Sequence, residues 1–171
     1  MIEKLKLTNF RKVEDDTMVF GPGLQLIKAP NEGSKTTRLE GIAYALFGSK
    51  VLRTNFAETV RWGKPEHSLK VELTLTLSGR TLTFTRGKSG AEVVEGGNVI
   101  VTGQNEVSNY AANLLGCDGA AAANLIIASQ NAMRGSLEQG PKATAALIEQ
   151  LADFDLFDTL IDRIQTKLVV G

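Results

Sequence analysis

The chain has 171 residues, of which 43% are hydrophobic and 22% charged, and its formal net charge is zero. This composition is ordinary for a globular protein, and the length predicts one domain with one core. No apolar run approaches the roughly 18 residues of a membrane span, and the alternating N-terminus excludes a signal peptide. A single Cys excludes an internal disulfide and a single His argues against a His-built metal site, so a reducing cytoplasm is the expected compartment.

The charges are unevenly distributed along the chain. Residues 1–90 hold 15 Lys and Arg against 9 Asp and Glu, whereas residues 91–171 hold 4 against 10. A basic first half suits contact with the phosphates of nucleotides or nucleic acids. Two solvated faces of different charge are the alternative, and composition leaves both interpretations open.

Three strands are predicted before residue 29. Residues 2–10 alternate between apolar and polar with period two, as in a half-buried strand. Residues 17–20 predict a second short strand, which a Gly-Pro-Gly turn ends. The mostly apolar residues 24–28 predict a third strand that leads into a loop.

That loop, residues 29–37, reads Ala-Pro-Asn-Glu-Gly-Ser-Lys-Thr-Thr and precedes a predicted helix that ends near Gly48. Strand, small-residue loop, Lys-Thr and helix is the layout of a P-loop, in which backbone N–H groups and the helix N-terminus hold phosphates. In that motif the lysine contacts the β- and γ-phosphates and the hydroxyl holds Mg²⁺. Lys35 and Thr36 are therefore the candidates for these two roles.

Two residues depart from the P-loop pattern G-x-x-x-x-G-K-[ST], because Ala29 and Ser34 stand where it has glycine. Ser34 is the more serious departure, since its Cβ lies where glycine lets the backbone approach a phosphate. A backbone strain of about 1–2 kcal/mol weakens nucleotide binding roughly ten-fold. Gly33, one position early, would let the loop take another path, so a working and a vestigial site both stay open.

The second half of the chain predicts an antiparallel meander followed by helices. The four alternating segments of the meander are residues 69–77, 80–86, 91–94 and 99–101. Residues 104–115 predict a helix with one apolar face. A last helix, over 141–171, has apolar residues at steps of three and four, which suits either the start of a coiled coil or a plain amphipathic helix.

Several segments also carry a family resemblance. They are residues 2–11, the turn at 21–24, the loop with Pro30, Asn31 and Glu32, residues 43–48, residues 82–86, and Gln130 after an apolar run. In this order they resemble the N-terminal head segment of SMC-like DNA-repair ATPases of the SbcC type, which belong to the ABC class. The resemblance extends over essentially the whole chain, and the first 48 residues are its most specific part.

The resemblance implies an α/β fold, the P-loop NTPase fold of an ABC-ATPase head N-lobe. It has a mixed sheet, an antiparallel β meander and a C-terminal helix that leads towards a coiled coil. Residues 1–140 would form the N-lobe, and residues 141–171 the amphipathic helix at the base of the coiled coil. A helix that packs back on the domain is the alternative for this last segment.

The same resemblance implies roles for individual residues. Lys35 and Gln130 would be catalytic, and Thr36 and Gln130 would hold the metal. The other nucleotide contacts would be Arg11, Lys12, Asn31, Glu32, Gly33, Ser34, Thr37, Arg61 and Trp62. Arg61 and Trp62 fall near a stretch that touches the base in this family, although Trp62 also suits a core or interface position. Arg11 as a solvated side chain and Gln130 as an ordinary loop residue are the alternatives for those two positions.

By this resemblance the chain is the N-terminal half of an ATP-binding head that uses ATP and Mg²⁺ and acts on DNA ends. Its implied partners are the C-terminal lobe of the same ATPase, a second head, an SbcD-type nuclease and double-stranded DNA, and no membrane. The expected setting is the nucleoid of a bacterial or phage-infected cell. Neither an L-S-G-G-Q signature nor a Walker B Asp-Glu is found, so we expect no ATP hydrolysis by the chain alone. A degenerate head that serves in dimerisation, DNA binding or nuclease docking is the alternative.

Overall fold

A computed structural model of the chain describes residues 1–27, 35–52 and 54–116. The strands are β1 (Ile2–Phe10), β2 (Val13–Val19), β3 (Lys70–Leu77), β4 (Arg80–Gly87), β5 (Ala91–Glu95) and β6 (Asn98–Thr102). The helices are α1 (Lys35–Phe47), α2 (Phe56–Thr59) and α3 (Gln104–Leu115), with 3₁₀ turns at Ser49–Leu52 and Glu66–Ser68. The strands form one sheet in the order β2-β1-β3-β4-β5-β6.

Most of the predicted elements in the described ranges are confirmed. The meander is β3 to β6, with every strand antiparallel to the next, and α3 has the predicted bounds. All other pairings among the described strands are antiparallel as well, so the parallel part of the expected mixed sheet is not seen in this portion of the chain. Strand β2 begins at Val13, earlier than predicted, because Val13 pairs with the buried Phe10 and its polar followers lie on an edge strand.

The strand predicted at residues 24–28 is wrong over 24–27, and Lys28 lies outside the described residues. Leu24 is completely exposed and Leu26 is 75% exposed. A strand needs a neighbour that accepts and donates its backbone hydrogen bonds. No described strand pairs with this segment, so its apolar composition does not produce one.

Helix α1 covers the inner face of the sheet and buries the core residues of β1. Gly41 makes this packing close, because a Cβ at that position would lie 2.5 Å from Cδ2 of Leu7. The rings of Tyr44 and Phe10 meet nearby, with centroids 5.3 Å apart. The middle of α1 is therefore held at a fixed position relative to β1.

The far end of α1 is held by a buried arginine on β4. The Arg86 side chain is 2% exposed, and it donates hydrogen bonds to the backbone carbonyls of Ala45 and Leu46. It also donates to the carbonyl and side-chain oxygens of Gln104 and to the hydroxyl of Ser108 at the start of α3. Burial lowers the pKa of Arg86 to about 10, so the side chain remains charged at neutral pH. The guanidinium thus joins the last turn of one helix to the first turn of another.

The predicted helix over 141–171 lies outside the described residues. Within the ranges that the structure does describe, no helix is both long and apolar enough to cross a membrane.

Substitution of Arg86 tests its role as a joint between the helices. Arg86→Met should lower the free energy of unfolding by about 3 kcal/mol or more, because several buried oxygens lose their donors. The measurement is urea denaturation followed by circular dichroism. Arg80→Met is the matched control on the same strand, since Arg80 pairs with Glu95 at the surface, and its loss should be much smaller. Equal losses in the two variants would contradict the assignment.

Candidate functional site

A cleft of about 760 Å³ lies beside the first turns of α1. Its walls come from α1, from the residues just after β1, and from the segment between α2 and the turn at Glu66–Ser68. Six of the residues predicted to bind the nucleotide line it, namely Arg11, Lys12, Thr36, Thr37, Arg61 and Trp62. The structure therefore brings together residues from three separate stretches of sequence.

The remaining predicted residues are not in this cleft as described. Lys35 is the first residue of α1 and is exposed, but it does not line the cleft, and it has no salt bridge to any residue in the described ranges. Residues 31–34 and Gln130 lie outside the described residues, as does Ala29. Their predicted roles stay predictions.

The end of β1 is fixed against the cleft by backbone hydrogen bonds. Phe10 forms a bridge with Val60, the N–H of Arg11 donates to the carbonyl of Thr59 (2.7 Å), and the N–H of Arg61 donates to the carbonyl of Asn9 (2.8 Å). Asn9 and Arg11 both have left-handed backbones, with φ of 49° and 51°. Such a backbone is uncommon for arginine and costs of order 1 kcal/mol, and residues in it cluster at functional sites. This short bridge sets Arg11 and Arg61 on one wall.

Arg11 and Glu40 form an ion pair inside the cleft. Nε of Arg11 lies 2.8 Å from Oε2 of Glu40, and both side chains are about one quarter exposed. The Nε–H bond does not point at the carboxylate, so the contact is an ion pair without an aligned hydrogen bond. Burial raises the pKa of Glu40, and the attraction of Arg11 offsets only part of that effect.

Glu14 holds two further cations at the rim. Its carboxylate contacts Nη1 of Arg61 and lies 3.0 Å from Nζ of Lys64. Hydrogen bonds from Lys64 and then Arg61 lower the pKa of Glu14. Lys12, by contrast, has no salt bridge to a residue in the described part of the chain. Lys12 and the terminal nitrogens of Arg11 are therefore the cationic donors left for an anion in this cleft.

Trp62 lies at the edge of the cleft in a turn between Arg61 and Gly63. Its side chain is 98% exposed, so the alternative of a core position is wrong. Gly63 has a φ of 76°, which lets the chain turn sharply after the indole. A flat aromatic group in water at the mouth of a cleft is suited to stacking on another ring.

The sequence reasoning missed several residues that line the cleft, among them Glu40 and Lys64. Glu40 follows Thr36 by four residues on a predicted helix, which places both on one face. This spacing could therefore have predicted Glu40 as a residue of the site. No local sequence pattern could have predicted Lys64, because its approach to Arg61 and Glu14 depends on the bridge between β1 and Val60.

The raised pKa of Glu40 predicts how the effect of Glu40→Gln on the free energy of unfolding depends on pH. Because the pKa is raised in the folded state, that state keeps a proton that the unfolded state releases, and stability falls as pH rises from about 4.5 through the folded pKa. Glu40→Gln removes this loss, so its free energy of unfolding relative to the wild type should increase between pH 4 and pH 7. Urea denaturation at the two pH values measures the change.

Glu14→Gln is the control of opposite sign. The pKa of Glu14 is lowered in the folded state, so its carboxylate stabilises the fold above the unfolded pKa and that benefit is lost as pH falls. The stability of Glu14→Gln relative to the wild type should therefore decrease between pH 4 and pH 7. The same sign of change in both variants would contradict the two assignments.

Comparison with known proteins gives a consistent set of relatives. A family model described as an AAA domain matches residues 4–168. The chain is 27% identical over 164 residues to the DNA double-strand break repair Rad50 ATPase of Thermoplasma volcanium, which covers 91% of this chain and 18% of that protein. It is 34% identical over 94 residues to the DNA replication and repair protein RecF of Magnetococcus marinus, covering 55% of this chain and 24% of that protein.

A further relative is the DNA double-strand break repair Rad50 ATPase of Archaeoglobus fulgidus, 31% identical over 110 residues, or 64% of this chain and 12% of that protein. The chain thus spans less than a quarter of the length of these three relatives. Among solved structures, it is similar to that of the recombination mediator protein RecF-ATPrS in the RecFOR pathway. That similarity has a TM-score of 0.46 and 18% identity, and it covers 63% of this chain and 29% of the other.

Proposed function

We propose that the cleft of this chain binds ATP, because the chain belongs to the AAA domain family and is the N-lobe part of an SMC-like ABC ATPase head. The observation that supports this most is the cleft itself, where Thr36 and Thr37 on α1 meet Arg11 and Arg61 from outside the loop. Its volume of about 760 Å³ is within the usual range for small-molecule sites. The first turn of a helix and nearby guanidinium groups are both suited to phosphate.

The residues present fit ATP with Mg²⁺. Arg11 and Lys12, which line the cleft, would approach the phosphates from the end of β1, and Thr36 would offer its hydroxyl to the metal. By the P-loop motif, Lys35 and the loop at 31–34 would hold the phosphates. Mg²⁺, when bound, neutralises negative charge on the phosphate oxygens. The N-terminal position of Lys35 and Thr36 on the 13-residue helix α1 supports these two roles.

Trp62 and Arg61 would contact the base. The indole is almost fully exposed at the rim, so a stacked ring would cover surface that now faces water. Arg61 donates its N–H to Asn9 at the end of β1, so the indole that follows it stays close to Arg11, the proposed phosphate contact.

We place this head in DNA repair, because relatives named for double-strand break repair and for replication and repair match it. The complete ATPase would pair this lobe with its C-terminal lobe and with a second head, and it would act on DNA ends beside an SbcD-type nuclease in the bacterial nucleoid. Gln130 would reach the metal and the attacking water, and residues 141–171 would lead into a coiled coil. Hydrolysis would need the C-terminal lobe.

ATP binding can be measured directly, because Trp62 is the sole tryptophan of the chain. Addition of ATP with Mg²⁺ should change the intrinsic tryptophan fluorescence with a saturable dependence, and calorimetry should give the same dissociation constant. Lys35→Ala should weaken binding about ten-fold or more, since it removes a charged donor to the phosphates. Lys4→Ala, an exposed lysine on β1, is the matched control and should leave the affinity unchanged. Equal affinity in all three proteins would refute the assigned site.

The two altered glycine positions favour a second candidate, a degenerate head that works in dimerisation, DNA binding or nuclease docking without turnover. In that case the double reversion Ala29→Gly and Ser34→Gly should raise the affinity for ATP by roughly ten-fold, because the strain of a side chain beside the phosphate is removed. A change of less than two-fold, by calorimetry, would show that the native loop already binds ATP.

A further inference from the structure

Glu40 lies in the cleft but belongs to no part of the predicted phosphate loop. It is one helical turn beyond Thr36 on α1, and its Oε2 lies 2.8 Å from Nε of Arg11. The guanidinium has five donors, and the contact with the carboxylate is at Nε. Within the described ranges, Arg11 forms this ion pair, and its buried Nε has no aligned hydrogen bond. The carboxylate therefore holds the arginine by charge attraction on its Nε side, and the terminal nitrogens keep the geometry that forms paired bonds with phosphate.

The separation of the two side chains is set by the backbone on both sides. Glu40 precedes Gly41, whose missing side chain lets α1 lie directly on Leu7 of β1. Arg11 follows the same strand and is fixed by its N–H bond to the carbonyl of Thr59. Neither residue is carried on a free loop, so the ion pair is a built feature of the cleft.

We propose that Glu40 is a positioning residue for the nucleotide, whose ion pair with Arg11 orients the guanidinium so that its terminal nitrogens contact a phosphate of ATP. The inference rests on the proposed function and adds to it a residue that the P-loop pattern does not contain. The raised pKa of Glu40 supports it, because a carboxylate that burial destabilises is a poor choice for stability alone. Charges held at such a cost are characteristic of functional sites.

The direction in which the affinity for ATP changes when Glu40 is neutralised distinguishes a positioning role from charge repulsion alone. A carboxylate next to bound phosphates repels them, so a Glu40 that acted only through its charge would oppose binding, and its neutralisation would raise the affinity for ATP. A Glu40 that positions Arg11 gives the opposite result, since Arg11 without its partner samples other rotamers and loses the orientation of its paired donors.

The test is a double-mutant cycle read as the dissociation constant for ATP with Mg²⁺ by calorimetry. Arg11→Met should weaken binding about ten-fold, and Glu40→Gln about three- to ten-fold. The double variant should bind no more weakly than Arg11→Met, because Glu40 acts through Arg11. Adenosine, which has no phosphate, should bind the wild type and Glu40→Gln equally, a split that general damage to the fold would not give.

Glu66→Gln is the matched control, because this carboxylate also lines the cleft but pairs with Lys88 instead of Arg11. It should not lower the affinity for ATP. An unchanged or higher affinity in Glu40→Gln, or a double variant weakened by the product of the single effects, would overturn the inference while leaving ATP binding intact. Failure of the wild type itself to bind ATP would refute the proposed function, and this inference with it.

Discussion

The close packing of α1 on β1 is the constraint on which the rest of the described structure depends. It exists because Gly41 has no side chain at the point where Leu7 fills the space. Two walls of the cleft follow from this contact, since α1 carries Thr36 and β1 delivers Arg11 at its end. A larger residue at position 41 would have to displace either the leucine or the helix, and the distance between the walls would change with it.

The two ends of α1 are held by different chemistry. At its C-terminal end the carbonyls of Ala45 and Leu46 accept hydrogen bonds from a buried guanidinium, which also matches the negative end of the helix dipole. In its N-terminal half the tie is the ion pair of Glu40 with Arg11, which is partly exposed. The buried tie is well satisfied and suits a structural role, whereas the other leaves donors open towards the cleft. Rigidity at one end and available donors at the other are what a ligand site on a helix terminus requires.

Local pattern was sufficient to predict much of the fold. Strand β1, the meander and α3 each show their period in a continuous run of residues, and each is confirmed close to the predicted bounds. The segment at 24–27 shows where prediction from local pattern fails. Its apolar residues satisfy the strand pattern, but a strand also needs a neighbouring strand from elsewhere in the chain. Of the site residues, the P-loop motif predicted Lys35 and Thr36, whereas the family resemblance predicted Arg11, Arg61 and Trp62.

The arrangement of the cleft depends on contacts between residues far apart in sequence, which no local pattern contains. Phe10 and Val60 are 50 positions apart, yet their bridge decides that Arg61 stands beside Arg11 and that Glu14 can reach both Arg61 and Lys64. Glu14 thereby keeps two rim cations occupied, while Lys12 and the terminal nitrogens of Arg11 stay open. The local charge available to a phosphate is thus smaller than the +6 of residues 1–90 implies. It is also concentrated at the end of β1, where a left-handed backbone and a helix-borne carboxylate fix its direction.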